Sequence, residues 1–359
     1  MPNYKLEVSR HMYHLSRETL ISLNKAYEKI FHKPEDYERV AEVGKYFIKN
    51  IPDFFVKYKI PDNLETEVLG LKFPSPLILA SFESDTDIIE QYLKLGFGGA
   101  IPKTVLKERL GNPRPRLIRE KRKHKVNGKT VKYECIVNAM GFNGPGVVEA
   151  NEELKNSNLF SYNRPIGRSI GGNSLEEYLY VHEKVLDLQY KNRFIEIDAG
   201  CPNTPHGQDM CKNPGNLDKL LHEIRKIDDT PLFVKLSPDF DNERILELVD
   251  VITKYDNTGV TLANTRTVKC NKIKLGKGGL SGLCIKDRTL ELVKIVDEHK
   301  LKNNYDLPIK AEGGLSTTED IINAKKNGAS LFGMATGVVQ NIFTIPLINY
   351  ELSIYQSEL

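Results

Sequence analysis

The chain has 359 residues, of which 40% are hydrophobic and 28% charged. That length holds one large barrel or two medium domains, and the ordinary composition excludes a fibrous or disordered chain. A formal net charge of +3 is too small to demand a nucleic-acid partner, and no run approaches the roughly 18 apolar residues of a membrane span.

The N-terminal stretch MPNYKLEVSRHMYH lacks the apolar core of a signal peptide, so a cytoplasmic protein is expected. Residues 1–65 are mostly helical in pattern and read as an N-terminal helical extension. The remainder, 66–359, reads as one α/β unit. It contains eight short apolar runs: 75–81, 97–103, 165–170, 193–199, 231–236, 259–265, 307–312 and 330–335. Runs this short and continuous suit strands buried on both faces, as in parallel sheets.

Amphipathic segments such as LEEYLYVHEKVLDLQYK and NERILELVDVITKY separate the runs. Asn216, Asp241 and Ser316 each precede a helical pattern and are candidate caps. Eight β-then-α units predict a (β/α)₈ TIM barrel in preference to a doubly wound sheet. Residues 104–146 are too long for a plain βα loop. Within them Asn127-Gly128, between β-prone arms, predicts a β-hairpin insertion. The basic run at 114–125 lacks interleaved aromatics and reads as a solvated hairpin face.

In such a barrel the chemistry sits where strands end, on the βα loops. Strand two ends in Lys103, strand four in DAGCPN, strand five in Lys235 and strand six in Asn264-Thr265. Strands seven and eight end in Gly313-Gly314 and Thr336-Gly337. Glycines there, with the GGLSG segment, admit a phosphate against backbone N–H groups; the competing reading is that they only make turns. Of the cysteines (Cys135, Cys201, Cys211, Cys270, Cys284), Cys201 alone lies at a strand end in a polar loop. The other four read as structural, and with no CxxC pair or disulfide framework the thiols are expected to be reduced. Lys103 and Lys235 are expected to point into the mouth, because a lone charge in the barrel core is expensive. Two cations beside a phosphate suit a flavin whose reduced form is anionic.

These segments resemble the dihydroorotate dehydrogenase family over nearly all of residues 70–345. The matching pieces, in the family's order, are GFGGAIPKT, GNPRPRL, NAMGFNGPG, CPNTP, VKLSPDF, ANT, GGLSG, AEGG and GASLFGMATG. The resemblance implies FMN-dependent oxidation of dihydroorotate to orotate, with Cys201 as the base and hydride passing to the flavin. It implies that Lys103 lies against both flavin and substrate, and that Lys235 stabilises reduced flavin. It further implies that Ala80, Ser81, Ser169, Thr265, Gly282, Gly313, Gly314 and Thr336 meet the cofactor. Asn138, Asp198, Asn203 and Asn264 would face substrate, with the amides of Met140, Gly141 and Phe142 on its carboxylate. A cysteine base is similar to the soluble class 1 enzymes, whereas the helical extension is similar to class 2. The acceptor is therefore open among fumarate, NAD through a partner, and quinone. A homodimer is the expected assembly.

Two positions depart from the pattern: Asp198 and Ser169 each stand where the family has asparagine. Asp198 leaves room for a related enzyme acting on a neutral dihydropyrimidine. A tRNA dihydrouridine synthase shares the GCP loop but leaves NAMGFNGPG unexplained, and the chain ends soon after strand eight. A silent binding barrel does not account for Cys201, Lys103 and Lys235 together.

Overall fold

The computed structural model describes residues 3–126, 129–200 and 209–357. Among these, all eight apolar runs become strands: β1 (Leu77–Leu79), β2 (Gly99–Ala100), β3 (Ile166–Ile170), β4 (Arg193–Asp198), β5 (Leu232–Leu236), β6 (Thr258–Leu262), β7 (Ile309–Glu312) and β8 (Leu331–Met334). They close into a barrel in chain order, each pair parallel. Helices cover the outside, so each strand is buried on both faces and no alternation shows in its sequence. The expected TIM barrel is the observed fold.

Inside the barrel, side chains alternate by two along each strand. At the floor Ile78, Ile101, Phe194, Phe233 and Leu331 pack together. A short antiparallel ladder, Thr66–Val68 with Leu71–Phe73, closes the floor from below. Phe194 meets Phe73 and Phe233 edge-on, each with ring centroids 6.1 Å apart. Two residues higher on the same strands stand Glu196 and Lys235, with Lys310 on β7 beside them, all buried.

Asp241 caps its helix as expected, accepting from the Arg244 amide at 2.8 Å. The other two caps shift. Asn213, not Asn216, caps the helix Pro214–Ile227, because Pro214 fits its first turn. Thr317, not Ser316, caps Thr318–Lys326, because Asp320 completes a capping box with it.

The N-terminal segment forms α1 (Asn3–Ile30) and α2 (Glu38–Lys49), then a short helix, Asp53–Val56. The insertion is a hairpin of Leu117–Val126 paired with Lys129–Asn138; its Asn127-Gly128 turn lies outside the described residues. The GGLSG segment lies in a strand, Lys277–Gly282, that extends the hairpin into a second, four-stranded sheet. The basic run is not merely a solvated face. Arg114 binds Asp36 at 2.6 Å, Arg116 binds Glu38 at 2.8 Å, and Arg119 binds Glu134 at 2.5 Å. Arg17 of α1 also pairs with Glu134. The arginines therefore clasp the N-terminal helices to the hairpin.

One cysteine expectation is overturned. Cys135 and Cys284 are joined in a disulfide, because hairpin and second sheet bring their Cα atoms to 6.2 Å across 149 residues. No local spacing signals a pair so distant in sequence. Cys211 and Cys270 are free and buried.

Candidate active site

A cavity of about 1170 Å³ opens at the C-terminal ends of the strands and runs outward beneath α1 and α2. Its wall contains Ala80, Ser81, Lys103, Asn138, Met140, Gly141, Phe142, Asp198, Lys235, Asn264 and Thr265. Gly282, Gly313, Gly314 and Thr336 line it too. Residues from seven strand ends and the hairpin thus meet at one place. Cys201 and Asn203 lie outside the described residues, directly after β4 in sequence. Ser169 differs from expectation. It is absent from the cavity wall and buried behind Thr104, whose hydroxyl lies 2.8 Å from its own.

Backbone geometry prepares one end for an anion. Gly313 and Gly314 have φ of 133° and 76°, conformations that side chains rarely adopt. A Cβ on Gly314 would meet the Gly282 carbonyl at 2.7 Å, and one on Gly313 would meet Thr289 Oγ1 at 2.5 Å. Substitution is therefore barred by both strain and space. Thr336 Oγ1 donates to Ser281 Oγ at 2.9 Å, tying the end of β8 to the second sheet. At the hairpin base, Gly141 and Phe142 take φ of 68° and 53°. Tight turns of this kind turn successive amides toward one ligand.

Asp198 lies across from Lys235 in the β4–β5 register. Its carboxylate accepts from Asn264 Nδ2 at 2.8 Å and from Thr104 Oγ1 at 3.2 Å. Burial pushes its carboxyl up to about 6, a direction that Glu196 reinforces and Lys235 opposes. The Asn264 carboxamide is held from its other side by the Thr265 amide at 2.8 Å. Asn138 donates to the Gly279 carbonyl at 3.3 Å. Burial pulls the Lys103 ammonium down to about 8, so it stays largely charged at neutral pH.

Lys103 and Lys235 reach the mouth as expected, but a third lysine does enter the barrel core, where it is paired and not alone. Lys310 is fully buried there, bonded to Glu196 and, at 3.1 Å, to Glu312. Lys235 is bonded to Glu312 and lies 3.7 Å from Glu196. Glu196, Lys310 and Glu312 were not singled out from sequence. Their signal was there: in FIEIDA and PIKAE the charges fall at alternate positions, which face the interior of a closed barrel. The contribution of α1 and α2 to the wall, including Tyr13, Leu15, Val40 and Phe47, carries no such signal.

A (β/α)₈ barrel with a glycine cradle and convergent polar groups at its C-terminal mouth is the arrangement of a barrel enzyme whose chemistry sits on its βα loops. The family model described as dihydroorotate dehydrogenase matches residues 63–354. The chain belongs to the dihydroorotate dehydrogenase family. It is 32% identical over 302 residues to the dihydroorotate dehydrogenase (quinone) of Christiangramia forsetii, covering 79% of this chain and 82% of that protein. The protein of the same name from Haloarcula marismortui is 31% identical over 294 residues, covering 79% of each. Among solved structures, DHODH of Eimeria tenella in complex with ferulenol superposes with a TM-score of 0.70 at 20% identity. That match covers 87% of this chain and 90% of the other, and at this identity it speaks to the fold alone.

Proposed function

We propose that the enzyme oxidises dihydroorotate to orotate with FMN bound at the barrel mouth, and that a quinone takes the electrons. The carrying observation is that one continuous cavity joins the glycine cradle and the polar strand ends to an apolar passage under α1 and α2. The cradle suits FMN because Gly282, Gly313 and Gly314, all at positive φ, present bare backbone on the cavity wall, where a phosphate meets no side chain. FMN, when bound, supplies the two-electron acceptor for the ring.

The chain's own groups supply the rest. Cys201 removes the C5 proton as thiolate, which needs the thiol to ionise from an ordinary pKa of about 8.5. Lys103 and the amides of Met140, Gly141 and Phe142 hold the substrate carboxylate. Asn138, Asn203 and Asn264 orient the ring by hydrogen bonds, and Asp198 fixes Asn264 in turn. Gly313, Gly314 and Thr336 would hold the cofactor phosphate.

Support for quinone comes from the relatives' names and from the passage. Leu15 and Phe47 line it and are also 54% and 55% exposed, so its outer rim is apolar and open. Such a rim suits an acceptor dissolved in lipid. No helix among the described residues is long and apolar enough to cross a membrane. The neutral-dihydropyrimidine alternative gains nothing from the relatives named above.

The test is to release and identify the flavin, then assay dihydroorotate with a short-chain quinone, fumarate and NAD. Quinone should be reduced far faster than the other two. Cys201→Ala should keep FMN but lose roughly 10²–10⁴-fold in flavin reduction by dihydroorotate. Colourless protein that cannot be loaded with FMN sinks the flavin reading. Equal use of fumarate sinks the acceptor.

A further inference from the structure

Lys235 stands in a closed ring of charge. Its Nζ is bonded to Glu312 Oε1, lies 3.7 Å from Glu196 Oε1 and donates to Ser81 Oγ at 3.5 Å. On the far side Lys310 Nζ is bonded to Glu196 Oε2 and donates to Glu312 Oε2 at 3.1 Å. Thr261 Oγ1 donates to Glu196 Oε2 at 3.0 Å. Two ammonium groups and two carboxylates therefore alternate around the ring, and their formal charges cancel. The neighbouring strand is shaped for it: a Cβ on Gly333 would overlap the Glu312 carboxylate.

Removing these groups from water is expensive, and each is tolerable only because its partners stay. Burial disfavours the Lys235 ammonium, but Glu312, Glu196 and Asp198 outweigh burial and lift its pKa above the ordinary lysine value. Lys235 and Glu312 both reach the cavity wall, whereas Lys310 is fully buried beneath.

We infer that Glu312 is a positioning residue for Lys235, holding its ammonium at the mouth and cancelling much of its field toward the flavin. This rests on the FMN reading above. An unopposed cation beside the flavin favours the anionic reduced form, so a compensated one leaves the flavin harder to reduce. Glu196 acts in the same sense from a greater distance. Lys310 bonds to both carboxylates and is the second cation on Glu312.

The experiment compares flavin midpoint potentials of the FMN-loaded wild type with Glu312→Gln, Glu312→Asp and Glu196→Gln, by equilibration with a reference dye. Glu312→Gln should shift the oxidised–reduced equilibrium about tenfold toward reduced flavin, which is roughly 30 mV upward for a two-electron couple. Glu196→Gln should move it the same way but less, and Glu312→Asp should stay nearer wild type because the charge remains. A folded, flavin-loaded Glu312→Gln with an unchanged or lower potential overturns the assignment. A second readout needs no flavin. In apoprotein carrying ¹³C,¹⁵N-labelled lysine, with the Lys235 signal identified by Lys235→Arg, NMR follows its titration. Its pKa should fall in Glu312→Gln, and an unchanged titration also overturns the assignment. Protein that cannot be loaded with FMN would defeat the flavin reading, while the apoprotein titration would still decide whether Glu312 holds Lys235. If Glu312→Gln fails to fold, Glu196→Gln carries both readouts.

Discussion

Phe194 and Glu196 stand two residues apart on β4, as do Phe233 and Lys235 on β5, and all four are buried inside the barrel. At the floor, burial itself stabilises, because each ring leaves water for a close-packed apolar cluster. At the mouth, burial costs, and only pairing makes it tolerable: Glu196 with Lys310, Lys235 with Glu312. One barrel thus contains a layer that holds the fold and a layer kept at a cost. Groups retained against a desolvation penalty in a cleft are where chemistry is expected. The remaining predictions break or sharpen that contrast.

The largest effect is expected at the floor. Phe233→Ala opens a cavity against Phe194 and should cost about 3–5 kcal/mol in urea unfolding. The variant that still folds should keep the wild-type flavin potential. A floor substitution that moved the potential would show the two layers to be coupled.

Asp198→Asn should act at the mouth in the opposite direction. The Asp198 carboxyl rises from 3.8 to about 6 in the fold. Folding therefore takes up a proton between about pH 4 and 6, and wild-type stability from this site falls as pH rises through that window. At pH 7 the carboxylate costs about 3 kcal/mol, a cost absent below pH 4. The asparagine variant should be more stable than wild type at pH 7, with the gap closing on acidification. Parallel pH profiles of unfolding for the two proteins would count against a strained carboxylate.

The smallest of the three concerns the boundary between the layers. Thr261→Val keeps the shape but removes the hydroxyl that donates to Glu196. A hydrogen bond to a charged group contributes about 1.5–3 kcal/mol, and the lower end is expected here because Lys310 remains bonded to the same carboxylate oxygen. A neutral or stabilising result would mean that Glu196 is satisfied by lysine alone.

The barrel was legible because its strands are buried on both faces, so each reads as an unbroken apolar run whatever its neighbours. Most expected site residues gather in the cavity for a related reason: in this fold any polar group at a strand's C-terminal end faces the mouth. Lys103, Asp198, Lys235, Asn264 and the Gly313-Gly314 pair meet that rule, while Asn138 reaches the same cavity from the inserted hairpin. Ser169 does not, because Thr104 stands between it and the cavity.

Local pattern by itself determined the eight units, the hairpin arms and the strand ends where polar side chains collect. What Lys235 is bonded to, what Cys135 is joined to and what covers the mouth were decided only in three dimensions. Glu312 lies 77 residues from Lys235, Cys284 lies 149 from Cys135, and Arg17 of α1 reaches Glu134 across 117. Secondary structure repeats over a few residues and leaves a periodic trace. A pairing between distant elements has no period, and it exists only once barrel closure and sheet register bring the two partners within reach.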